Sequence, residues 1–150
     1  MACQAEAERR ASPAHAKPAD RGSAAAPCQL GDAAALVESF GGYSEINLNV
    51  GCPSKKVSQG KMGACLMKEA ELVRDCLSGM REETSMDVSL KCRIGVDEFD
   101  SYDFFRNFIS TVLESDVKVI FIHARKAFLK GLDPKKNRTL LISTITWCCF

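Results

Sequence analysis

A chain of 150 residues has room for one domain and little more. Its net charge of +1 gives no global pull toward nucleic acid or a membrane, so any affinity for RNA must come from local patches. Eight cysteines without a C-x-x-C pair, and only two histidines (His15 and His123), argue against a metal site, and no apolar run approaches the roughly 20 residues that cross a bilayer.

With no secretory leader visible, a disulfide scaffold has no support, and a reduced intracellular compartment is the simplest expectation. Cytoplasm is the first assignment. A mitochondrion or plastid is the alternative, since Arg9, Arg10 and Arg21 favour a transit peptide while Glu6, Glu8 and Asp20 oppose one.

Met1 to Pro27 is rich in Ala, Pro and charge and lacks apolar periodicity, which predicts disorder. Order is expected from Cys28-Gln29-Leu30. Asp32 predicts the cap of a short helix through Phe40, stopped by Gly41-Gly42. The strand Glu45–Val50 follows, with Ile46, Leu48 and Val50 on one face and Asn47 and Asn49 on the other.

A loop from Gly51 to Gly63 carries Lys55, Lys56 and Lys61. The spacing of Leu72, Val73, Cys76, Leu77 and Met80 predicts a helix over roughly Glu69 to Glu83 with one buried side. The strand Val88–Ile94 alternates Val88, Leu90, Cys92 and Ile94 against Ser89, Lys91 and Arg93. A second helix, capped by Asp100, buries Phe105, Phe108, Ile109 and Val112. The strand Val117–His123 leads into a basic loop, Arg125–Arg138. Residues 139–150 form a tail with no polar face and no cap.

Strands alternating with helices at this spacing predict a parallel sheet with right-handed crossovers. Open doubly wound sheets and closed barrels share the rhythm, but the faces differ. Here one face is apolar throughout and the other turns polar toward the C-terminal end. That parity fits an α/β barrel of the TIM (β/α)8 type, whose lumen-facing residues become functional at its top.

Three successive strands then deliver Asn49 and Cys52, Lys91 and Arg93, and His123 and Arg125 to one rim. A cysteine after a strand is often only a small hydrophobe. Between Gly51, which permits a tight turn, and Pro53, which fixes the exit, Cys52 is instead presented to a ligand as nucleophile or proton donor. Cys65, Cys76 and Cys92 read as core. Lys91 and Arg93 on a solvated face would need no explanation. In a lumen, a cation wants an anionic or electron-rich partner, such as the N1–C2=O edge of a reduced flavin. His123 shares a face with Val119, Phe121 and Arg125. The charges of Arg125–Arg138 flank a Gly-Leu-Asp-Pro turn and suit phosphate contact.

Together these residues resemble the tRNA-dihydrouridine synthases, especially the bacterial DusA-type branch. The matching segments are E-I-N-L-N-V-G-C-P-S, G-K-M-G-A-C-L-M, V-S-L-K-C-R-I-G-V-D, D-S-Y-D-F-F and I-H-A-R-K-A-F-L-K-G-L-D-P-K-K-N-R, from about Tyr43 to Arg138. Gln29-Leu30-Gly31 is similar to the family's Q-L-G-G strand end, with Asp32 in place of its second glycine.

The resemblance implies a flavin-binding barrel followed by a helical domain. It implies FMN as cofactor, NADPH as reductant and the C5–C6 bond of a tRNA D-loop uridine as substrate. It assigns Cys52 as the acid at C5, and Gln29, Lys91 and His123 as flavin contacts. Asn49, Arg93, Arg125, Lys126 and Arg138 would contact the RNA, with no metal and no membrane involved. The family's first two and last two barrel strands find no counterpart, so residues 28–138 are expected to form about half of such a barrel. The chain alone is therefore expected to be inactive. A flavin barrel acting on free pyrimidines and a noncatalytic RNA-binding fragment are the competing readings.

Overall fold

The computed structural model describes residues 27–130 together with Lys135 and Asn137. Helix α1 (Pro27–Phe40) precedes strand β1 (Glu45–Val50). A five-residue helix α2 (Lys55–Gln59) and a 3-10 helix (Gly63–Lys68) lead into helix α3 (Ala70–Glu83) and strand β2 (Asp87–Arg93). Helix α4 (Tyr102–Leu113) and strand β3 (Val119–His123) complete the described elements.

The three strands form one parallel sheet in the order β1-β2-β3. Its register sets Asn49 level with Lys91, Lys91 level with Phe121, and Arg93 level with His123. The strands lie where alternation placed them. In β1, Leu48 and Val50 are buried while Asn47 and Asn49 are exposed.

One face of the sheet carries the core. Leu48, Val50, Val88, Leu90 and Cys92 pack with Val73, Cys76, Leu77 and Met80 of α3, Phe108 and Val112 of α4, and Leu66 and Met67 of the 3-10 helix. Each large side chain so buried contributes about 1.5–3 kcal/mol. The other face carries Asn49, Lys91 and Phe121, all exposed. Deeper on that face, Asn47 donates to Ser89 Oγ at 2.7 Å, and the Ser89 hydroxyl donates to Glu45. Val119 and Phe121 of β3 stay nearly half exposed, at 46% and 49%.

Several expectations need correction. Helix α1 begins at Pro27 rather than Asp32, so Pro27 belongs to an ordered element and Gln29 lies inside a helix instead of at a strand end. Proline suits a first helical position because its missing N–H would have no partner there. Helix α1 packs against α3 where Gly31 meets Gly79. A Cβ on Gly31 would stand 2.8 Å from the Gly79 carbonyl oxygen, so the two backbones are in contact.

The expected loop after β1 contains α2, and the 3-10 helix follows at once. Helix α4 is capped by Ser101, whose hydroxyl accepts from the Phe104 N–H at 3.1 Å; Asp100 instead pairs with Lys126. Strand β3 starts at Val119, two residues after the expected start. Cys65 is only half-buried, donating to the Met62 carbonyl at 3.1 Å. The disorder expected up to Ala26 and the tail 139–150 lie outside the described residues.

Candidate active site

The C-terminal ends of the three strands form one rim. At the end of β1, the Asn49 side chain accepts from the Gly51 N–H at 3.0 Å, which turns the chain sharply before Cys52. Pro53 is buried behind the turn and Cys52 is half-exposed. The Cys52 carbonyl accepts from the Ala64 N–H at 2.9 Å, so the 3-10 helix holds the thiol-bearing residue by its backbone.

Burial acts on other thiols of this region. It pushes Cys76 up to about 11 and Cys92 up to about 12, which keeps both protonated and unreactive near neutral pH. It also raises Cys65.

At the end of β2, Lys91 is exposed beside Asn49, with no ion pair among the described residues. Arg93 is 3% exposed. Its Nε donates to the Gly51 carbonyl at 2.8 Å and its Nη1 to the Lys126 carbonyl at 3.2 Å. Burial lowers its proton affinity, Cys52 raises it and Arg125 lowers it, which places all three groups within electrostatic reach.

At the end of β3, His123 is half-buried and level with Arg93. Burial first, then the charges of Arg93, Arg125 and Lys91, push its imidazole below the ordinary 6.5. It is neutral at pH 7, within electrostatic reach of three cations. Such a cluster is suited to an anionic or electron-rich ligand lying on the open face of the sheet.

The loops behind the rim are joined. Asp97 accepts from the Leu129 N–H at 2.8 Å and pairs with Lys68 at 3.2 Å, while its own N–H donates to the Ala127 carbonyl at 2.8 Å. Asn137, 3% exposed, closes both backbone groups of Phe128, accepting at 2.8 Å and donating at 3.0 Å. None of these partners was expected. Asp97 and Asn137 both fall within the segments quoted above, but their contacts are tertiary and have no periodic signature.

The structure therefore brings together Asn49, Cys52, Lys91, Arg93, His123 and Arg125. It does not bring Gln29, which is exposed on α1. The Lys126 ammonium pairs with Asp100 at 2.6 Å and lies 4.9 Å from the centre of the Phe128 ring. Arg138 lies outside the described residues. Among the described residues no three His, Cys, Asp or Glu side chains converge as they would around a metal ion, and no helix is long and apolar enough to cross a membrane.

Residues 23–147 match the dihydrouridine synthase (Dus) family. The tRNA-dihydrouridine(20/20a) synthase of Pasteurella multocida is 51% identical over 114 residues, 76% of this chain and 35% of that protein. The enzyme of the same name from Yersinia pestis is 52% identical over 113 residues, 75% of this chain and 32% of that protein. The one from Escherichia coli K12 is 51% identical over 115 residues, 76% of this chain and 33% of that protein. The chain thus spans about a third of the length of these relatives.

Proposed function

The chain belongs to the dihydrouridine synthase family, and on that premise we propose that the protein it builds reduces uridine to dihydrouridine in tRNA at the rim of β1, β2 and β3. The observation that carries the reading is the meeting, on one open strand-end rim, of a half-exposed thiol at Cys52 with the cations around a neutral His123. In this reading the three parallel strands are one section of a (β/α)8 barrel, and their polar face lines its lumen.

The residues present fit a flavin. Lys91, exposed on the lumen face, and His123, uncharged and able to donate or accept, would hold FMN beside the Arg93 and Arg125 charges. FMN, when bound, supplies the hydride for C6 of the base and draws its electrons from NADPH. Cys52 holds the proton that goes to C5. Asn49, level with Lys91, orients the base through its amide. Arg125 and the lysines Lys55, Lys56 and Lys61 face the tRNA backbone. The target uridine must leave its stack to reach Cys52. The cytoplasm is the expected place of action, with a mitochondrion or plastid as the alternative.

A protein of the relatives' length carrying this segment tests the reading. Given FMN, NADPH and unmodified tRNA, it forms dihydrouridine; reduction of free uracil in preference to tRNA would favour a flavin barrel of another substrate class.

The 150-residue chain by itself is expected to form none. Val119 and Phe121 are exposed on the open face of β3, and a barrel closes only when every strand has two neighbours. Robust turnover by residues 1–150 with one FMN per chain would contradict that expectation.

A further inference from the structure

Arg93 does something on this rim that a substrate contact would not require. It is almost wholly buried, and its two bonds run to main-chain carbonyls on two different loops. Gly51 immediately precedes Cys52. Lys126 follows Arg125 and lies three residues after His123. A single planar guanidinium therefore spans from the thiol-bearing turn of β1 to the loop that leaves β3, starting from the strand between them.

The alternatives for bridging these loops are few. Strands β1 and β3 do not pair with each other; each pairs only with β2 among the described residues. The Asp97 contacts tie the β3 loop to the loop after β2 and to Lys68, but not to Gly51. A backbone bond, from the Ala64 N–H to the Cys52 carbonyl, holds Cys52 against the 3-10 helix. Among the described residues Arg93 is the side chain that bonds both loops directly, without passing through Asp97, Lys68 and the 3-10 helix. A fork with donors on separate nitrogens can hold two carbonyls at once, which a single ammonium cannot do in the same geometry.

We propose that Arg93 is a positioning residue, which fixes the proton-donating thiol of Cys52 relative to the His123–Arg125 loop by clamping the carbonyls of Gly51 and Lys126. The role rests on the reading of the rim as a uridine-reducing site, and the clamp itself can be measured without that reaction. A reacting group displaced by about 1 Å can cost about 100-fold in rate. Loss of the clamp therefore lowers turnover while leaving the ligand contacts of Lys91 in place.

Arg93→Lys and Arg93→Met, made in a protein of the relatives' length, form the test. Both variants are expected to lose about 100-fold in kcat, with KM for tRNA and FMN occupancy within about twofold of the parent. Both are also expected to alkylate faster at Cys52 with iodoacetamide, read by peptide mass spectrometry. A raised KM with unchanged kcat and unchanged Cys52 labelling would make Arg93 a substrate contact and overturn the proposal, as would full activity in Arg93→Lys. If the variants do not fold, the unmodified protein decides: its Arg93 Nε–H should exchange slowly with solvent by NMR, and rapid exchange overturns the clamp. If the parent makes no dihydrouridine, the proposed reaction fails, while slow Nε–H exchange and altered thiol labelling still establish the clamp.

Discussion

Gly63 lies against the carbonyl of Cys52. A Cβ built on it would stand 2.6 Å from that oxygen and 2.9 Å from Val57 Cγ1, and its φ of +73° is one that L side chains rarely adopt. The glycine that opens the 3-10 helix therefore supports the turn that carries Cys52, eleven residues away in sequence.

Gly63→Ala is expected to destabilise the protein by about 1–3 kcal/mol through left-handed strain and the clash with the Cys52 carbonyl. Denaturant midpoints measure the first effect. Faster alkylation of Cys52 in the folded variant reports the second. A midpoint equal to that of the parent would show that the 3-10 helix does not hold the thiol turn.

Ser101→Ala removes the cap of α4 and is expected to cost about 1 kcal/mol. Asp100→Asn leaves that cap intact and removes only the charge opposite Lys126. Thermal melts of the two variants should separate them, with the larger drop for Ser101→Ala. Equal melting temperatures for Ser101→Ala and the parent would restore Asp100 as the cap.

His123 gives a signed dependence on pH. Its imidazole is pushed below 6.5 in the folded protein, by burial and then by Arg93, Arg125 and Lys91. As pH falls below about 6.5, the unfolded chain takes up a proton that the folded one resists. The contribution of this group to stability is thus full above that pH and declines below it, until the folded imidazole also protonates. An NMR titration of the His123 ring should give a midpoint below 6.5, and Lys91→Ala should raise it. A parent midpoint above 6.5 would remove the cationic cluster from the account.

Lys91→Ala should weaken FMN binding about 10- to 100-fold, the loss expected for one hydrogen bond from a charged donor. Flavin absorbance per protein after gel filtration measures it. Unchanged occupancy would mean that Lys91 faces the substrate instead.

Much of this arrangement is legible in the sequence because strand faces alternate. Ile46, Leu48 and Val50 against Asn47 and Asn49, and Leu90 and Cys92 against Lys91, fix both the buried side and the direction of the rim. The stripe from Leu72 to Met80 likewise marks the inner side of α3. What escaped has short range or no period. Helix α2 is Lys55-Lys56-Val57-Ser58-Gln59, too short to show an apolar stripe. The 3-10 helix begins on a left-handed glycine, which reads as a loop. Pro27 suits the first turn of a helix, but Asp32 is a good cap as well, and the packing of Gly31 against Gly79 accompanies the earlier start of α1. Ser101 and Asp100 are both good caps, and only the pairing of Asp100 with Lys126 decides between them. The Arg93 bonds depend on two loops that no local pattern connects.

The central claim is that Cys52 supplies the proton to C5 of a tRNA uridine, and single-turnover reduction by Cys52→Ala tests it most directly. A protein of the relatives' length, loaded with FMN and reduced by NADPH before tRNA is added, is followed by dihydrouridine formation. Loss of a positioned acid costs on the order of 100- to 10,000-fold. The account predicts that fall in the reductive step with the flavin still bound at parental occupancy. Reduction at the parental rate by Cys52→Ala would contradict it.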